Sequence, residues 1–130
     1  MFSTQFAPCN ARSAFPCFDE PNLKARFDFE IEIPEDQTAL SNMPEKETRK
    51  SAKREGWNVV AFKTAPAMST YLYAWAFGDF EYVEDFTRKN MPVRVYTTKG
   101  LKEQGRWALL NCHQVVDFSK VKSSYPFGET

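Results

Sequence analysis

The chain has 130 residues, and its 17 basic and 17 acidic side chains give a formal net charge of zero. Because 42% of its residues are hydrophobic and 26% are charged, the composition is that of one globular domain and excludes global disorder and fibrous repeats. Nucleic acids and anionic membranes attract proteins with a basic excess. We therefore expect neither of them as a partner of this chain.

The cysteines and the N-terminus indicate a cellular compartment. Three cysteines without a C-x-x-C spacing, and the absence of any N-x-[ST] sequon, favour a reduced cytoplasmic protein. Residues 1–10 lack the basic start and the apolar stretch of a signal peptide. The longest nearly uncharged run, Thr64–Gly78, is too short and too polar to span a bilayer.

Alternating residues predict the first strand. From Ala25 to Ile33 every second residue is apolar and the residues between them are charged, which is the pattern of a half-buried strand. We expect this strand to end at Pro34 and to form a hairpin with a short strand over 38–43. The segment 44–56 holds five basic and three acidic residues and no large apolar side chain. It is interpreted as an exposed, mobile hairpin tip, a solvated loop rather than a nucleic-acid or partner patch.

Further strands and one helix complete the predicted order. The strands are expected over 57–63, 69–78, 79–84 and 92–97, the second with a bend at Gly78, and a helix over 101–118 with Thr98 as a possible N-cap. Gly105 weakens the middle of this helix, and the tail 119–130 is expected to fray. The chain is therefore predicted to be mainly β with one C-terminal α-helix.

A self-sufficient active site is not expected. His113 is the single histidine, so the pair Cys112 and His113 is too poor in ligands to close a tetrahedral metal site. We favour a buried or exposed His113 without a metal role. The glycines are scattered and no G-x-S-x-G sequence occurs, which excludes a phosphate loop and a hydrolase elbow.

The most specific stretch runs from Thr4 to Phe27 and contains three prolines and four phenylalanines. Arg12, followed by Asp19 and Glu20, suggests an irregular segment held by an internal ion pair. This stretch resembles the signature T-Q-F-E-x-x-x-A-R-x-A-F-P-C-F-D-E-P-x-x-K-A-x-F of the zinc aminopeptidases of the puromycin-sensitive and membrane alanyl type. Shorter motifs follow in that family's order, at 39–44, 68–72, 78–80 and 92–96.

The resemblance covers about residues 2–118 and implies a fold. Residues 1–98 would be the later part of the family's N-terminal domain, a partial saddle-shaped antiparallel β-sandwich. Residues 99–118 would be the first helix of the catalytic domain, and 119–130 a divergent tail. The family's zinc helix and its exopeptidase motif have no counterpart here, so no catalytic or metal-binding residue is carried over, and zinc is implied only for the full-length family.

Two positions of the signature correspond to substrate contacts. Gln5 matches the glutamine that lines the pocket for the first side chain of a peptide substrate. Ala7 stands where the family has a glutamate that helps hold the substrate's free amino group.

These correspondences leave two hypotheses open. The first is a fragment or truncated relative of a zinc aminopeptidase that contributes a substrate-pocket wall but is inactive alone. The second is a non-catalytic binding protein that retains only the β domain. An interaction protein should be stable alone, whereas a fragment without the first strands would have open sheet edges and exposed apolar surface. Self-association through exposed strand edges is therefore expected of a fragment, and the oligomeric state distinguishes the two hypotheses.

Overall fold

The computed structural model of the protein describes residues 1–88 and 90–122, without the side chains of 113 and 117–122. Within these residues there are ten strands: β1 (Phe2–Ser3), β2 (Ala25–Phe27), β3 (Glu30–Pro34), β4 (Thr38–Ser41), β5 (Glu45–Lys50), β6 (Trp57–Phe62), β7 (Ala65–Met68), β8 (Trp75–Gly78), β9 (Phe80–Phe86) and β10 (Pro92–Thr98). One α-helix, α1 (Gly105–Lys122), and three short 3-10 helices (Ala11–Ser13, Thr70–Leu72 and Lys102–Gln104) accompany them. The prediction of a mainly β chain with one C-terminal helix is confirmed.

The chain forms two compact units, residues 1–79 and residues 80–130. In the first unit, the strand orders are β1-β8-β4, β3-β6-β5 and β2-β7, and the paired strands are antiparallel. The predicted hairpin between β3 and β4 is wrong. A turn does form, with the Gln37 N–H donating to the Pro34 carbonyl at 3.1 Å, but β3 pairs with β6 and β4 pairs with β8.

An apolar cluster explains why β3 and β4 separate into different sheets. Ile33 of β3 is 1% exposed and packs with Val60 and Phe62 of β6. Ala39 of β4 and Phe77 of β8 cover this group from the other sheet. The turn therefore carries the chain from one layer of a sandwich to the next, so that both layers bury their apolar faces against each other.

The alternating segment has the predicted facing over residues 27–31, but Ala25 is exposed, Glu32 is half-buried, and the strand is not continuous. Phe27, Phe29 and Ile31 are half-buried, whereas the intervening Asp28 and Glu30 are exposed. The predicted strand is interrupted at residues 28–29, where the chain changes its partner: β2 pairs with β7, and β3 pairs with β6. Alternation fixes which side chains are buried, whereas the change of partner depends on strands distant in sequence.

The charged segment after Pro44 is exposed, as expected, but the prediction that it lacks regular structure is wrong. Residues 45–50 form β5, which pairs with the apolar strand β6. Arg49 reaches across the sheet to Glu30 of β3, with 2.6 Å between Nη2 and Oε2. An edge strand of charged residues fits this position because its charges oppose pairing with other chains.

The long strand predicted over 69–78 is also wrong. Only Trp75–Gly78 is a strand, and Thr70–Leu72 forms a 3-10 helix instead. The buried hydroxyls of Ser69 and Thr70 hold this turn against the segment that contains Asp19 and Pro21. The additional strand β7 precedes it and pairs only with the short β2.

The second unit packs a helix against a two-stranded sheet. The antiparallel pairing of β9 and β10 runs from Phe80 opposite Thr98 to Phe86 opposite Pro92. Val83 of β9 and Val95 of β10 lie next to the first turn of α1. Gly105 is the first residue of α1 and does not weaken its middle. Glycine suits this position because a β-carbon there would lie only 3.3 Å from the side chains of Val83 and Val95. Thr98 does not cap α1, since Lys102–Gln104 forms a 3-10 turn before the helix.

The helix extends to Lys122, four residues beyond the predicted end at 118. The rest of the predicted frayed tail, residues 123–130, lies outside the described residues. None of the helices within the described residues is long and apolar enough to cross a membrane.

The turn between β5 and β6 gives a test of the hairpin. Gly56 has φ of +74°, and a β-carbon there would meet no atom within 4 Å. The cost of Gly56→Ala is therefore conformational only, and we expect it to lower the free energy of unfolding by about 1 kcal/mol. Gly56→Asn is the control, because asparagine adopts this conformation more readily. Equal urea midpoints for wild type and Gly56→Ala would contradict the assigned turn.

Candidate functional site

The segment from Thr4 to Leu23 is irregular and is anchored by Phe6. The Phe6 side chain is 5% exposed and packs in an edge-on geometry against Trp75 at 5.1 Å and Phe15 at 6.0 Å between ring centres. Tyr73 and Ala11 belong to the same buried cluster. Edge-on aromatic pairs of this kind add to the gain from apolar burial, so Phe6 fixes the path of the residues on either side of it.

Gln5 and Ala7, the two substrate contacts expected from the sequence, flank this anchor and are both exposed. The Gln5 Oε1 accepts a hydrogen bond from the Ala7 N–H at 3.0 Å. The Ala7 carbonyl in turn accepts one from Asn10 Nδ2 at 3.2 Å, and the Asn10 N–H donates to the Phe6 carbonyl at 2.8 Å. The structure thus brings Gln5 and Ala7 together on the open side of a hydrogen-bonded turn.

This arrangement limits what each residue can offer a ligand. The Gln5 carbonyl oxygen uses one of its two lone pairs for the Ala7 N–H, so its other lone pair and its amide NH2 group can still bind a ligand. Ala7 presents a methyl group and no charge. A ligand ammonium would therefore meet no carboxylate at position 7.

The ion pair predicted for this segment forms between Arg12 and Asp19. The Arg12 Nε lies 3.4 Å from Asp19 Oδ2, and the Arg12 backbone N–H donates to the same oxygen at 3.1 Å. The Arg12 Nη2 also donates to the Phe18 and Asp19 carbonyls, at 3.3 Å each. Arg12 therefore closes the loop between residues 12 and 19 through both its backbone and its side chain.

A second residue that binds the Asp19 carboxylate, after Arg12, lies far away in the sequence. Asp19 is 4% exposed, and its Oδ1 accepts a hydrogen bond from the Thr70 hydroxyl at 2.6 Å. The Ser69 hydroxyl donates to the Pro21 carbonyl beside it. Sequence reasoning did not assign Thr70 to this network, although it lies in the 68–72 motif of the family resemblance, because the two residues are 51 positions apart.

These contacts set the titration of Asp19. The hydrogen bond from Thr70, followed by those from the Arg12 backbone and side chain, lowers the pKa of Asp19 below its ordinary value, although burial opposes this change. Asp19 also has φ of +57°, a left-handed conformation that aspartate tolerates better than most residues. The charged carboxylate is thus part of the folded structure of the loop.

The described residues contain no group of three or more His, Cys, Asp or Glu side chains placed to hold a metal ion. The side chain of His113 lies outside the described residues. Cys9, Cys17 and Cys112 are all free thiols. The residues that the structure describes therefore do not supply the ligand set of a zinc centre.

Asp19→Asn tests the role of the loop network. Because the folded pKa of Asp19 is lowered, its contribution to stability is full above the unfolded pKa of about 3.9 and is lost as the pH falls through the folded pKa. We expect Asp19→Asn to lower the free energy of unfolding at neutral pH, with a difference from wild type that shrinks below about pH 4. Urea unfolding across this pH range measures it, with the exposed Asp36→Asn as control. A difference from wild type that did not change with pH would contradict the assignment.

Comparison with known proteins places this loop in a family context. Residues 1–72 match the family model described as the peptidase M1 N-terminal domain. The chain is 42% identical over 127 residues to Aminopeptidase M1 of Arabidopsis thaliana. The aligned region makes up 98% of this chain and 14% of the plant protein. The chain is 48% identical over 109 residues to the puromycin-sensitive aminopeptidase of Caenorhabditis elegans, covering 82% of this chain and 11% of that protein.

Aminopeptidase N of Rattus norvegicus is 39% identical over 103 residues, which make up 79% of this chain and 11% of the rat protein. The chain thus spans between 11% and 14% of the length of these relatives. The loop of Gln5, Ala7 and Asp19 lies wholly inside the region matched by the family model. The chain belongs to the peptidase M1 family, and its residues 1–72 are part of the N-terminal domain of that family.

Proposed function

We propose that this chain is part of a zinc aminopeptidase, in which it forms a wall of the pocket that receives the N-terminus of a peptide substrate. The observation that carries the proposal is family membership, since the matching proteins named above are aminopeptidases. The parent enzyme would remove N-terminal residues from peptides. A cytoplasmic location is part of the same proposal and rests on the reduced cysteines of the sequence.

The domain assignment follows from the same resemblance. Residues 1–98 are proposed as the later part of the N-terminal β domain, and the helical region that starts after Thr98 as the beginning of the catalytic domain. Residues 119–130 are proposed as a divergent tail. In this arrangement Gln5 and Ala7 are on the substrate side of the β domain.

The geometry of the loop supports a role in substrate binding. Gln5 and Ala7 are exposed, while Phe6 between them is buried in the aromatic cluster. A contact residue needs this combination of an accessible side chain and a fixed backbone, because a mobile loop would lose binding energy to ordering. We propose that Gln5 contacts the first side chain of the substrate, and that Ala7 removes the acidic contact to its amino group.

Family membership implies zinc, but the described residues do not fit a zinc site, as their side chains include no suitable ligand group. No catalytic step is therefore assigned to this chain. Its own residues shape the pocket, and peptide hydrolysis belongs to the proposed parent enzyme.

A chimera tests the proposal. The matching N-terminal segment of the full-length Caenorhabditis elegans relative is replaced by residues 1–98, and hydrolysis of aminoacyl-amide substrates is measured. We expect an active enzyme whose kcat/KM for free-amino substrates is about ten- to a hundredfold lower than that of the parent, which is the effect of one charge-assisted hydrogen bond. Ala7→Glu in the chimera should restore the loss, because the carboxylate faces the substrate ammonium.

Two controls separate the outcomes. Ala7→Gln introduces a side chain of nearly the size of glutamate without its charge and should not restore the loss, whereas Gln5→Ala should change the ranking of substrates by their first side chain. Equal activity of the chimera with and without the Ala7→Glu substitution would show that Ala7 is a neutral change. A folded, zinc-loaded chimera that stayed inactive with either residue would contradict the proposal and favour the non-catalytic binding protein.

A further inference from the structure

The basic segment, residues 49–56, comprises the end of β5 and the loop that connects it to β6, and it lies away from Gln5 and Ala7 in the sequence. It carries Arg49 and Lys50 before Ser51, and Lys53 and Arg54 after it. Residues 52–56 are exposed, and Ser51 is half-buried. Ser51 is therefore a hydroxyl with basic residues on both sides, in a turn at the surface.

The hydroxyl of Ser51 is held in a defined position. Its Oγ accepts the backbone N–H groups of Lys53 and Arg54, both at 3.0 Å, and its proton is donated to Glu32. The Ser51 N–H donates to the Trp57 carbonyl at 2.9 Å, which closes the base of the loop. The two backbone N–H groups that converge on this oxygen could also donate to the oxygens of an anion such as a phosphate.

Charged side chains of both signs lie near this position, since the Ser51 hydroxyl itself donates to Glu32. Arg54 stacks over the Trp57 ring at 4.7 Å, and its Nε lies 3.9 Å from Glu32 Oε2. Lys50 is paired with Glu35. Both ion pairs are at the surface, where such pairs contribute little to stability and exchange partners readily.

The surroundings of Ser51 also have room for an added group. Two open grooves adjoin it, of about 470 Å³ and about 490 Å³, and Lys50 and Ser51 line both. Lys53 lines the first groove, and Arg54 lines the second.

Four other described hydroxyls lack this combination. Ser69 and Thr70 are about as buried as core residues, at 5% and 6% exposure. Thr48 lies inside β5 next to Glu47 and donates to Glu45 at 2.6 Å. Ser13 follows Arg12, but no basic residue comes after it before Lys24, so it is not flanked on both sides.

We propose that Ser51 is a phosphorylation site for a basic-directed serine/threonine kinase. The kinase would bind the flanking basic side chains through acidic pockets. The Ser51 Oγ attacks the γ-phosphorus of Mg²⁺-bound ATP, the bond from that phosphorus to the β,γ-bridging oxygen breaks, ADP leaves, and the hydroxyl proton passes to the kinase base.

The phosphate changes the partners within the loop. It removes the O–H donor that Glu32 accepts and places a charge of about −1.5 to −2 beside that carboxylate. The N–H groups of Lys53 and Arg54 and the Arg54 guanidinium are then the partners of the phosphate. Arg54 therefore exchanges Glu32 for the phosphate, and the end of the β5–β6 hairpin is rearranged.

The test uses the full chain, Mg²⁺-ATP and the active catalytic fragment of protein kinase C, with phosphorylated residues mapped by tandem mass spectrometry. We expect one phosphoryl group on Ser51, loss of incorporation in Ser51→Ala, and retained incorporation in Ser51→Thr and in the control Ser13→Ala. In the phosphorylated chain, the amide resonances of Lys53 and Arg54 should titrate with the second phosphate ionisation, near pH about 6.

Three results would overturn the proposal. The first is phosphate on another hydroxyl instead of Ser51. The second is no incorporation into the folded chain while a peptide of residues 46–56 is labelled, which would show that the loop withholds Ser51. The third is Lys53 and Arg54 amide resonances that stay constant through the phosphate titration.

Discussion

The ring of Phe29 packs against both apolar clusters of residues 1–79, because it follows β2 and precedes β3. It stacks on Phe62 at 5.8 Å, which belongs to the cluster between the sheets, and lies 5.6 Å from Tyr73 and 5.2 Å from Trp75 in the other cluster. The Phe29 carbonyl also accepts the Phe62 N–H at 3.0 Å. One residue thus connects the two parts of the core through its side chain and its backbone.

The candidate site depends on this connection. Phe6 holds Gln5 and Ala7 in place by packing on Trp75, and Trp75 in turn packs on Phe29. Asp19 fixes the same segment from the other side through Arg12 and Thr70. The loop therefore has two attachments of different kinds, one apolar and one charged, and its exposed residues contribute little to either. This explains how position 7 can be alanine without loss of the fold.

Local patterns in the sequence predicted which side chains face the core, and long-range pairing determined what could not be predicted. Alternation placed Phe27, Phe29 and Ile31 on the buried face, and the facing of these three was correct, although the strand is broken and Ala25 of the same predicted face is exposed. The Arg12–Asp19 pair was predicted because its partners are only seven residues apart.

The strand β5 was missed because its residues are all exposed and charged or polar, so its order comes from pairing with β6 rather than from burial of its own side chains. The Asp19–Thr70 contact was missed for a similar reason, since no local pattern relates residues that far apart. Gln5 and Ala7 were identified only through the family signature, and nothing in their composition or spacing indicates a binding role.

Hydrogen exchange of a Phe29→Leu variant tests most directly whether one aromatic core supports both the sheets and the loop. The exposed Phe2→Leu is the matched control, because Phe2 is 67% exposed and stacks only on Phe77 among the described rings. We expect Phe29→Leu to lower the protection of the Phe62 amide and of the Asn10 amide together, while Phe2→Leu leaves both unchanged. Loss of protection at Phe62 alone, with Asn10 as protected as in wild type, would contradict this account.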